Sequence, residues 1–237
     1  MLGERIAQDI GDADLDAFLR PSQHIASDDP GIVEYAAYAV GTASDALEKG
    51  IRLYYAVRDD VIYDPYALEL TGWGLSASRC LHRKVGFCIS KAALLAAAAR
   101  AVNIPARVGY ADVRNHLATK RLLLLMGGDT FCYHSYTEMY LERRWVKSTP
   151  AFNRALCERF RVKPLEFDGK KDSLFHPFDA DDRRHMEYLR DRGSFADVPA
   201  DLILSTFREL YPNMFSGVKV VQGGDFNAEA ERENRSA

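Results

Sequence analysis

This 237-residue chain contains a cysteine and a histidine that together could act as the nucleophile and the base of a thiol enzyme. Cys88 lies in the stretch VGFCISKAALLAAAAR, at the predicted start of a buried helix. The first backbone N–H groups of a helix have no partner within it, so we expect them to lower the pKa of the Cys88 thiol. The same groups could hold the oxyanion of a tetrahedral intermediate. A thiol that only fills space in the core is the structural alternative.

A cysteine nucleophile also needs a base, and His134 is the strongest candidate. It lies in YHSYTEMYLE, whose alternation predicts a strand with His134, Tyr136, Glu138 and Tyr140 on one face. A strand histidine that merely satisfies a neighbour is the alternative. The order of a cysteine-bearing helix followed by a histidine-bearing strand favours the catalytic role.

The elements that must position these two residues are predicted from the sequence. A helix is expected over about 88–102, because Asn103 suits a left-handed cap and Pro105 prevents continuation. The segment ARVGYADV predicts a strand. RWVKSTP predicts the hairpin partner of the histidine strand, with the turn near Arg143 and Arg144.

Helices are predicted on both sides of this core. GIVEYAAYAVG and SDALEKGIRLYYAVRDD precede it, the second with Ser44 as N-cap, and RRHMEYLRDR and PADLILSTFRELY follow it. This order indicates an α+β fold in which the cysteine helix packs on an antiparallel sheet of about four to six strands. We predict one domain over 1–221, with its core at about 76–153, and a disordered polar tail over 222–237.

The stretches GFCISKAALLAAAARAVNIPARVGY and YHSYTEMYLERRWVKSTP resemble the transglutaminase-like superfamily of papain-type thiol enzymes. The shared pattern is a Gly-x-Cys entry to an apolar helix, an Ile-Pro-Ala-Arg exit, a strand beginning with His, and then a strand with Trp. It covers about 76–150 and is similar to bacterial members of the cysteine-protease type. The resemblance implies a papain-like fold in which Cys88 is the nucleophile and His134 the base. Trp145 and the exit at 104–107 are then framework.

The residue that orients the histidine stays open. The family has an Asp four residues after the Trp, where this chain has Thr149, whose hydroxyl can accept a hydrogen bond but carries no charge. Asn153 is an alternative, because the predicted hairpin turn places it opposite His134. Asp112 and Asn115 are weaker candidates.

An oxyanion donor is expected in the segment before the cysteine, as the resemblance implies. Trp73 and Tyr66 are the candidates there. Packing is the alternative role for both aromatic side chains.

Composition narrows the classes of function. The formal net charge of −3 gives no basic field for binding nucleic acid or an acidic membrane. We find no secretory signal and no apolar run long enough to span a bilayer. The four cysteines do not make a disulfide scaffold, so we expect a cytoplasmic protein.

No cofactor or metal is expected. The acidic stretch at about 168–182 and the histidines near it lack the spacing of a calcium loop or of a zinc site. The residues concerned are Asp168, Asp172, His176, Asp179, Asp181, Asp182 and His185.

The sequence thus favours a thiol-dependent acyl-transfer enzyme that hydrolyses a peptide or amide bond through a cysteine thioester. Its substrate would be a peptide, a protein or a small amide. A catalytically inactive domain that binds a peptide or protein is one alternative, favoured by Thr149 in place of the Asp. A true protein transglutaminase or deamidase is the other.

Overall fold

The computed structural model of the protein describes residues 15–116, 118–174, 186–215 and 224–235. Eight α-helices occur in these ranges. They are α1 (Pro30–Val40), α2 (Ala46–Asp60), α3 (Ala77–Arg83), α4 (Cys88–Ala101), α5 (Lys120–Met126), α6 (Arg154–Phe160), α7 (Ala200–Leu210) and α8 (Phe226–Arg235).

The described residues also form six strands in two sheets. The strands are β1 (Ile62–Tyr63), β2 (Val85–Gly86), β3 (Ala106–Asn115), β4 (Thr130–Leu141), β5 (Arg144–Ser148) and β6 (Met186–Phe195). β1 and β2 form a short parallel pair, and the other four form an antiparallel sheet in the order β5-β4-β3-β6. The predicted α+β class and the antiparallel sheet are therefore confirmed.

Helix α4 is the centre of the packing. It packs against β4 on one side and against α1, α2 and α3 on the others, and its alanines between Ala92 and Ala99 are fully buried. Alanine has a small side chain, so the helix and the sheet approach closely enough for Thr137 Oγ1 of β4 to donate to the Ala92 carbonyl at 2.9 Å. Asn103 follows the helix with a positive φ of 63°, as the sequence predicts.

The hairpin between β4 and β5 differs by one residue from the prediction. Glu142 and Arg143 are the turn residues, with φ of 47° and 64°, and Leu141 pairs with Arg144. Two central residues with positive φ are typical of the tight turn that matches strand twist. The hairpin predicted near Arg143 and Arg144 is confirmed, but its turn lies one residue earlier, so the register that places Asn153 opposite His134 is wrong.

Strand β6 replaces a predicted helix. The part of RRHMEYLRDR that the structure describes belongs to a strand that pairs with β3 over Val108–Asn115. The charged residues of this segment carry no clear strand alternation, and the unpaired edge of β3 decides its conformation. The helix predicted in PADLILSTFRELY is confirmed as α7.

Helix α8 lies where the sequence predicts a disordered tail. That prediction is wrong for residues Phe226–Arg235. Phe226 and Ala230 are buried against the core, and the ring of Phe226 contacts Tyr63, Tyr66 and Phe160. These two apolar residues, one turn apart, and the buried Glu229 carboxylate, which accepts from Tyr66, attach this polar segment to the core.

The N-cap of helix α2 lies one residue later than predicted. Asp45, not Ser44, is the N-cap, and its carboxylate accepts from the Glu48 N–H at 2.8 Å. In the described part of the chain, no helix combines the length and the apolar character needed to cross a membrane.

Candidate active site

Cys88 is the first residue of α4, directly after the N-cap residue Phe87. The Phe87 N–H donates to Ser90 Oγ at 3.2 Å, which fixes the entry to the helix. Gly86 is required here, because a Cβ at this position would lie 2.7 Å from Cys80 Sγ and 2.8 Å from Ser90 Oγ. The Gly-x-Cys entry therefore permits the close packing that places the thiol at the helix N-terminus.

The pKa of the Cys88 thiol differs from the prediction. Burial raises the pKa of Cys88 to about 11, opposed by backbone N–H groups of Ser135, Ile89 and Cys88 itself that hydrogen-bond to the sulfur. The expectation of a lowered pKa is wrong, because desolvation exceeds the stabilisation that the helix N-terminus provides. At neutral pH the side chain is a neutral thiol.

The sulfur of Cys88 meets strand β4 beside the candidate base. The Ser135 N–H favours the ionised form of this thiol and opposes the rise in its pKa, so the sulfur lies near the residue that follows His134. Both Cys88 and His134 line one cavity. The structure thus brings the two candidates into one site, although they are far apart in sequence.

A β-bulge lies immediately before His134. His134 pairs with Ala111, whereas Phe131 pairs with Val113, so β4 carries one extra residue between these pairs. Tyr133 has a φ of 58°, in the left-handed region. The strand alternation read from the sequence therefore holds from Ser135 onward and breaks where the site begins.

Asp112 holds this bulge in place. Its carboxylate accepts from the Tyr133 N–H at 3.3 Å and is paired with Arg192 of β6 at 2.5 Å. The guanidinium of Arg192 also lies 4.3 Å from the centre of the Tyr133 ring. These contacts make Asp112, a weak candidate from the sequence, a support of the segment that carries His134.

Cys88 and His134 share a partly enclosed cavity that opens to the surface. Apart from the site itself its lining is almost entirely apolar, and it comes from α5, α6, α7, α8 and the strand ends. None of the described residues lining it is Asp, Glu, Lys or Arg. Sequence reasoning missed this cavity, because its walls come from short elements distant in the chain.

Of the candidates for the orienting role, Thr149 and Asn153 do not line this cavity, whereas Asn115 does. Thr149 is buried, its N–H donates to the Ser173 carbonyl at 3.0 Å, and its own carbonyl accepts from Tyr54. Its hydroxyl has no hydrogen-bond partner among the described residues. Asn153 precedes α6, and its Oδ1 accepts from the Tyr63 N–H at 3.2 Å.

The two oxyanion candidates are also placed elsewhere. Trp73 is 58% exposed in a short 3-10 turn. The Tyr66 hydroxyl lies 2.7 Å from Thr119 Oγ1 and donates to Glu229 Oε2 at 2.6 Å, which joins α5 and α8. Tyr66 is thus engaged in packing two helices, and neither residue lines the cavity in the described part of the chain.

The residues assigned to the framework do pack as a framework. The Arg107 guanidinium lies 4.1 Å from the centre of the Trp145 ring and pairs with the buried carboxylate of Glu138. Ile104 and Ala106 are buried in the core. This cluster joins β3, β4 and β5 on the side of the sheet away from α4.

Residues of the types that bind metals are scattered across the described ranges. There, no three His, Cys, Asp or Glu side chains form a group that could hold a metal ion. Four residues of the acidic stretch, together with His185, lie outside those ranges: His176, Asp179, Asp181 and Asp182. All four cysteines are free; burial raises the pKa of Cys80 to about 11 and that of Cys157 to about 12.

Three solved structures are similar to this chain. A candidate cysteine protease from Cytophaga hutchinsonii is 23% identical, with a TM-score of 0.46, over 59% of this chain and 42% of that protein. A candidate protease from Parabacteroides distasonis is 18% identical, with a TM-score of 0.37, over 57% and 25%. Red sea bream transglutaminase is 14% identical, with a TM-score of 0.38, over 87% and 42%.

The chain therefore spans less than half the length of each of these three proteins. No curated protein matches it. A family model described as the transglutaminase-like superfamily matches residues 33–150, which extends the resemblance read from the sequence back into α1. This segment contains α4, β4 and both candidate catalytic residues, and through it the chain belongs to the transglutaminase-like superfamily.

Proposed function

We propose that this protein is a thiol-dependent acyl-transfer enzyme that hydrolyses an amide bond through a thioester on Cys88. The observation that supports it is the meeting of the Cys88 sulfur with the Ser135 N–H, next to His134, at the wall of a shared cavity. A thiol at a helix N-terminus beside an imidazole fits the roles of nucleophile and base.

The raised pKa of Cys88 decides how the first step proceeds. Because the thiol is neutral, His134 takes its proton while the sulfur attacks the amide carbonyl and the S–C bond forms. The N–H groups of Cys88 and Ile89, which lie against the sulfur, are the candidate donors to the oxyanion. Collapse breaks the C–N bond, and the imidazolium gives its proton to the leaving amine.

Hydrolysis of the thioester completes the cycle. Water attacks the carbonyl as His134 accepts one of its protons, the C–S bond breaks, and the sulfur regains a proton from the imidazolium. The carboxylic acid leaves and the free thiol is restored. An amine in place of water would give transamidation by the same steps.

The threonine at position 149 should lower the rate of catalysis. The family pattern has an acidic residue at this position, and a carboxylate stabilises the imidazolium that forms during catalysis. A threonine hydroxyl carries no such charge. The proposal therefore expects a slower enzyme than a triad with a carboxylate would give.

Two observations favour a second candidate, a catalytically inactive domain that binds a peptide or protein. They are the raised pKa of Cys88 and the threonine at position 149. Such a domain has no need of a reactive thiol, so reactivity separates the two candidates.

The test measures alkylation of each cysteine by iodoacetamide at pH 7.5, using peptide mass spectrometry. For an enzyme, Cys88 reacts at least tenfold faster than Cys132, the other thiol lining the cavity, and His134→Asn removes that advantage. Equal rates for the two thiols, unaffected by His134→Asn, would overturn the enzyme and leave the binding domain. Added hydroxylamine or water as acceptor then distinguishes transamidation from hydrolysis by product mass.

The proposal also places the protein in the cytoplasm. Four free cysteines, three of them with raised thiol pKa, suit a reducing compartment.

A further inference from the structure

We infer that the acyl group transferred to Cys88 is an uncharged aliphatic chain of medium length, held in the apolar cavity beside the thiol. This inference rests on the proposed function and names its substrate class. It starts from the cavity itself, which begins at the reactive residues and continues away from them.

The length of the cavity follows from the register of β3. His134 lies opposite Ala111, and Asn115, four residues further along β3, also lines the cavity. Four residues of a strand cover about 13 Å. At about 1.25 Å per carbon in an extended chain, this distance accommodates roughly ten carbons.

The chemistry of the walls selects an apolar occupant. Leu122 and Leu125 of α5, Phe207 of α7, Phe226 of α8 and Met186 of β6 line the space. Leucines and methionines adapt to a flexible chain, and each methylene they cover is removed from water. Among the described residues, no Asp, Glu, Lys or Arg side chain lines the cavity to pair with a charged ligand.

A peptide is a poor occupant of the same space. An extended peptide of about 13 Å has about four residues, each with one backbone N–H and one carbonyl. Among the described lining residues, Asn115, Cys132 and His134 are the polar ones besides Cys88 and two tyrosines. Most backbone groups of such a peptide would be buried without a partner, which is costly.

The test measures the rate of Cys88 acylation with p-nitrophenyl esters from acetate to dodecanoate, by nitrophenolate release and intact mass. A C88A variant gives the background. We expect the rate to rise two- to fourfold per added methylene up to about ten carbons and then to fall. The p-nitrophenyl ester of N-acetylglycylglycine, similar in length to the octanoyl ester, should react at least tenfold more slowly than that ester.

Two tryptophan variants on α5 locate the chain. Leu122→Trp fills the cavity wall and should lower octanoyl transfer at least tenfold while acetyl transfer changes less than threefold. Leu124→Trp, at a side chain 68% exposed on the same helix, should behave as the wild type. Leu125→Phe is a milder substitute if Leu122→Trp fails to fold.

The outcomes separate the two claims. Acetyl transfer to Cys88 that depends on His134, with rates that are flat or fall with chain length, overturns this inference and leaves the proposed function in place. Preference for the dipeptide ester over the octanoyl ester does the same. No acylation of Cys88 by any ester and no enhanced alkylation by iodoacetamide overturns both.

Discussion

The segment that matches the family, 33–150, and the segment that follows it, 151–235, contribute different things to one site. The first holds Cys88 and His134 on the central helix and an interior strand. The second adds apolar side chains to the same cavity: Phe152, Phe160, Met186, Phe207, Met214 and Phe226. The comparison indicates that the reactive residues belong to the first segment alone, whereas the apolar wall of the cavity is shared, with Leu122 and Leu125 of α5 contributed by the first segment.

Loss of the thiol gives the largest effect expected from this division. Cys88→Ala should abolish ester-dependent acylation, a fall of at least about a thousandfold, because no other group supplies the nucleophile. Nitrophenolate release and intact mass measure it. Cys132→Ser, at the second thiol of the cavity, is the control and should keep at least half of the activity; equal losses in the two variants would contradict the assignment.

Removal of the base should have the next largest effect. His134→Asn should lower the acylation rate at pH 7 by about a hundredfold to ten-thousandfold. The loss should become smaller toward pH 10, because a thiol whose pKa is about 11 begins to deprotonate there without the help of His134. His82→Asn, at an exposed histidine of α3, is the matched control. A loss that is constant with pH would argue against His134 as the acceptor of the thiol proton.

In the second segment, replacing a buried side chain by alanine should lower the free energy of unfolding more than it lowers the rate of acetyl transfer. Phe226→Ala removes a buried ring that contacts Tyr63, Tyr66 and Phe160, so we expect a loss of about 3 kcal/mol in the free energy of unfolding. Denaturant titration measures it. Leu202→Ala, at an exposed leucine of α7, should cost less than 1 kcal/mol. Loss of acetyl transfer by folded Phe226→Ala would break the separation of reactivity from selection.

The family-matched segment also buries a lysine that takes no part in the proposed reaction. Lys91 lies one turn after Cys88, fully buried, and donates to the carbonyls of Arg58 at 2.9 Å and Val61 at 2.5 Å. Burial lowers the pKa of Lys91 to about 7 from an ordinary value of 10.5. Above pH 7 the folded chain holds it neutral while the unfolded chain keeps it charged, so its contribution to stability increases with pH.

Lys91→Met should remove that pH dependence. Between pH 7 and pH 9, the wild type should gain stability relative to the variant by up to about 1.4 kcal/mol per pH unit, and the buried thiols do not affect this difference because both proteins contain them. Denaturant titrations at several pH values measure this difference. Lys170→Met, at an exposed lysine, should run parallel to the wild type; a parallel curve for Lys91→Met would show that Lys91 stays charged in the fold.

The smallest effect is expected at Thr149. Its hydroxyl has no partner among the described residues, so Thr149→Val should change the acylation rate less than twofold and leave stability within about 1 kcal/mol. Kinetics with the acetate ester and denaturant titration measure both. A tenfold loss of rate would restore Thr149 as the residue that orients His134.

The same two segments differ in how well the sequence predicts them. Helix α4 and strands β3 and β4 are confirmed, because long apolar segments that are buried on nearly all sides carry a clear signal in the sequence. The helix predicted at β6 and the tail predicted at α8 are wrong, because the edge of β3 and a single buried Phe226 decide them, and neither contact is local.

Within the site, residue types were predictable and environments were not. Cys88 and His134 follow from motif and order along the chain. The raised pKa of Cys88 depends on how completely other elements desolvate the sulfur, and the register of Asn153 depends on one residue in a turn. Both depend on contacts between elements that are distant in the sequence, and motifs and periodicity do not reveal those contacts.

The hydrogen bond from Thr137 to the Ala92 carbonyl sets the spacing between the cysteine helix and its sheet, one turn away from the sulfur. A bulkier side chain at Ala92 would therefore widen the gap that the Ser135 amide now bridges. We expect the residues most sensitive to mutation in this protein to include small alanines that touch no substrate. These alanines would be sensitive because they set the distance between helix α4 and the sheet, and not because they take part in the reaction.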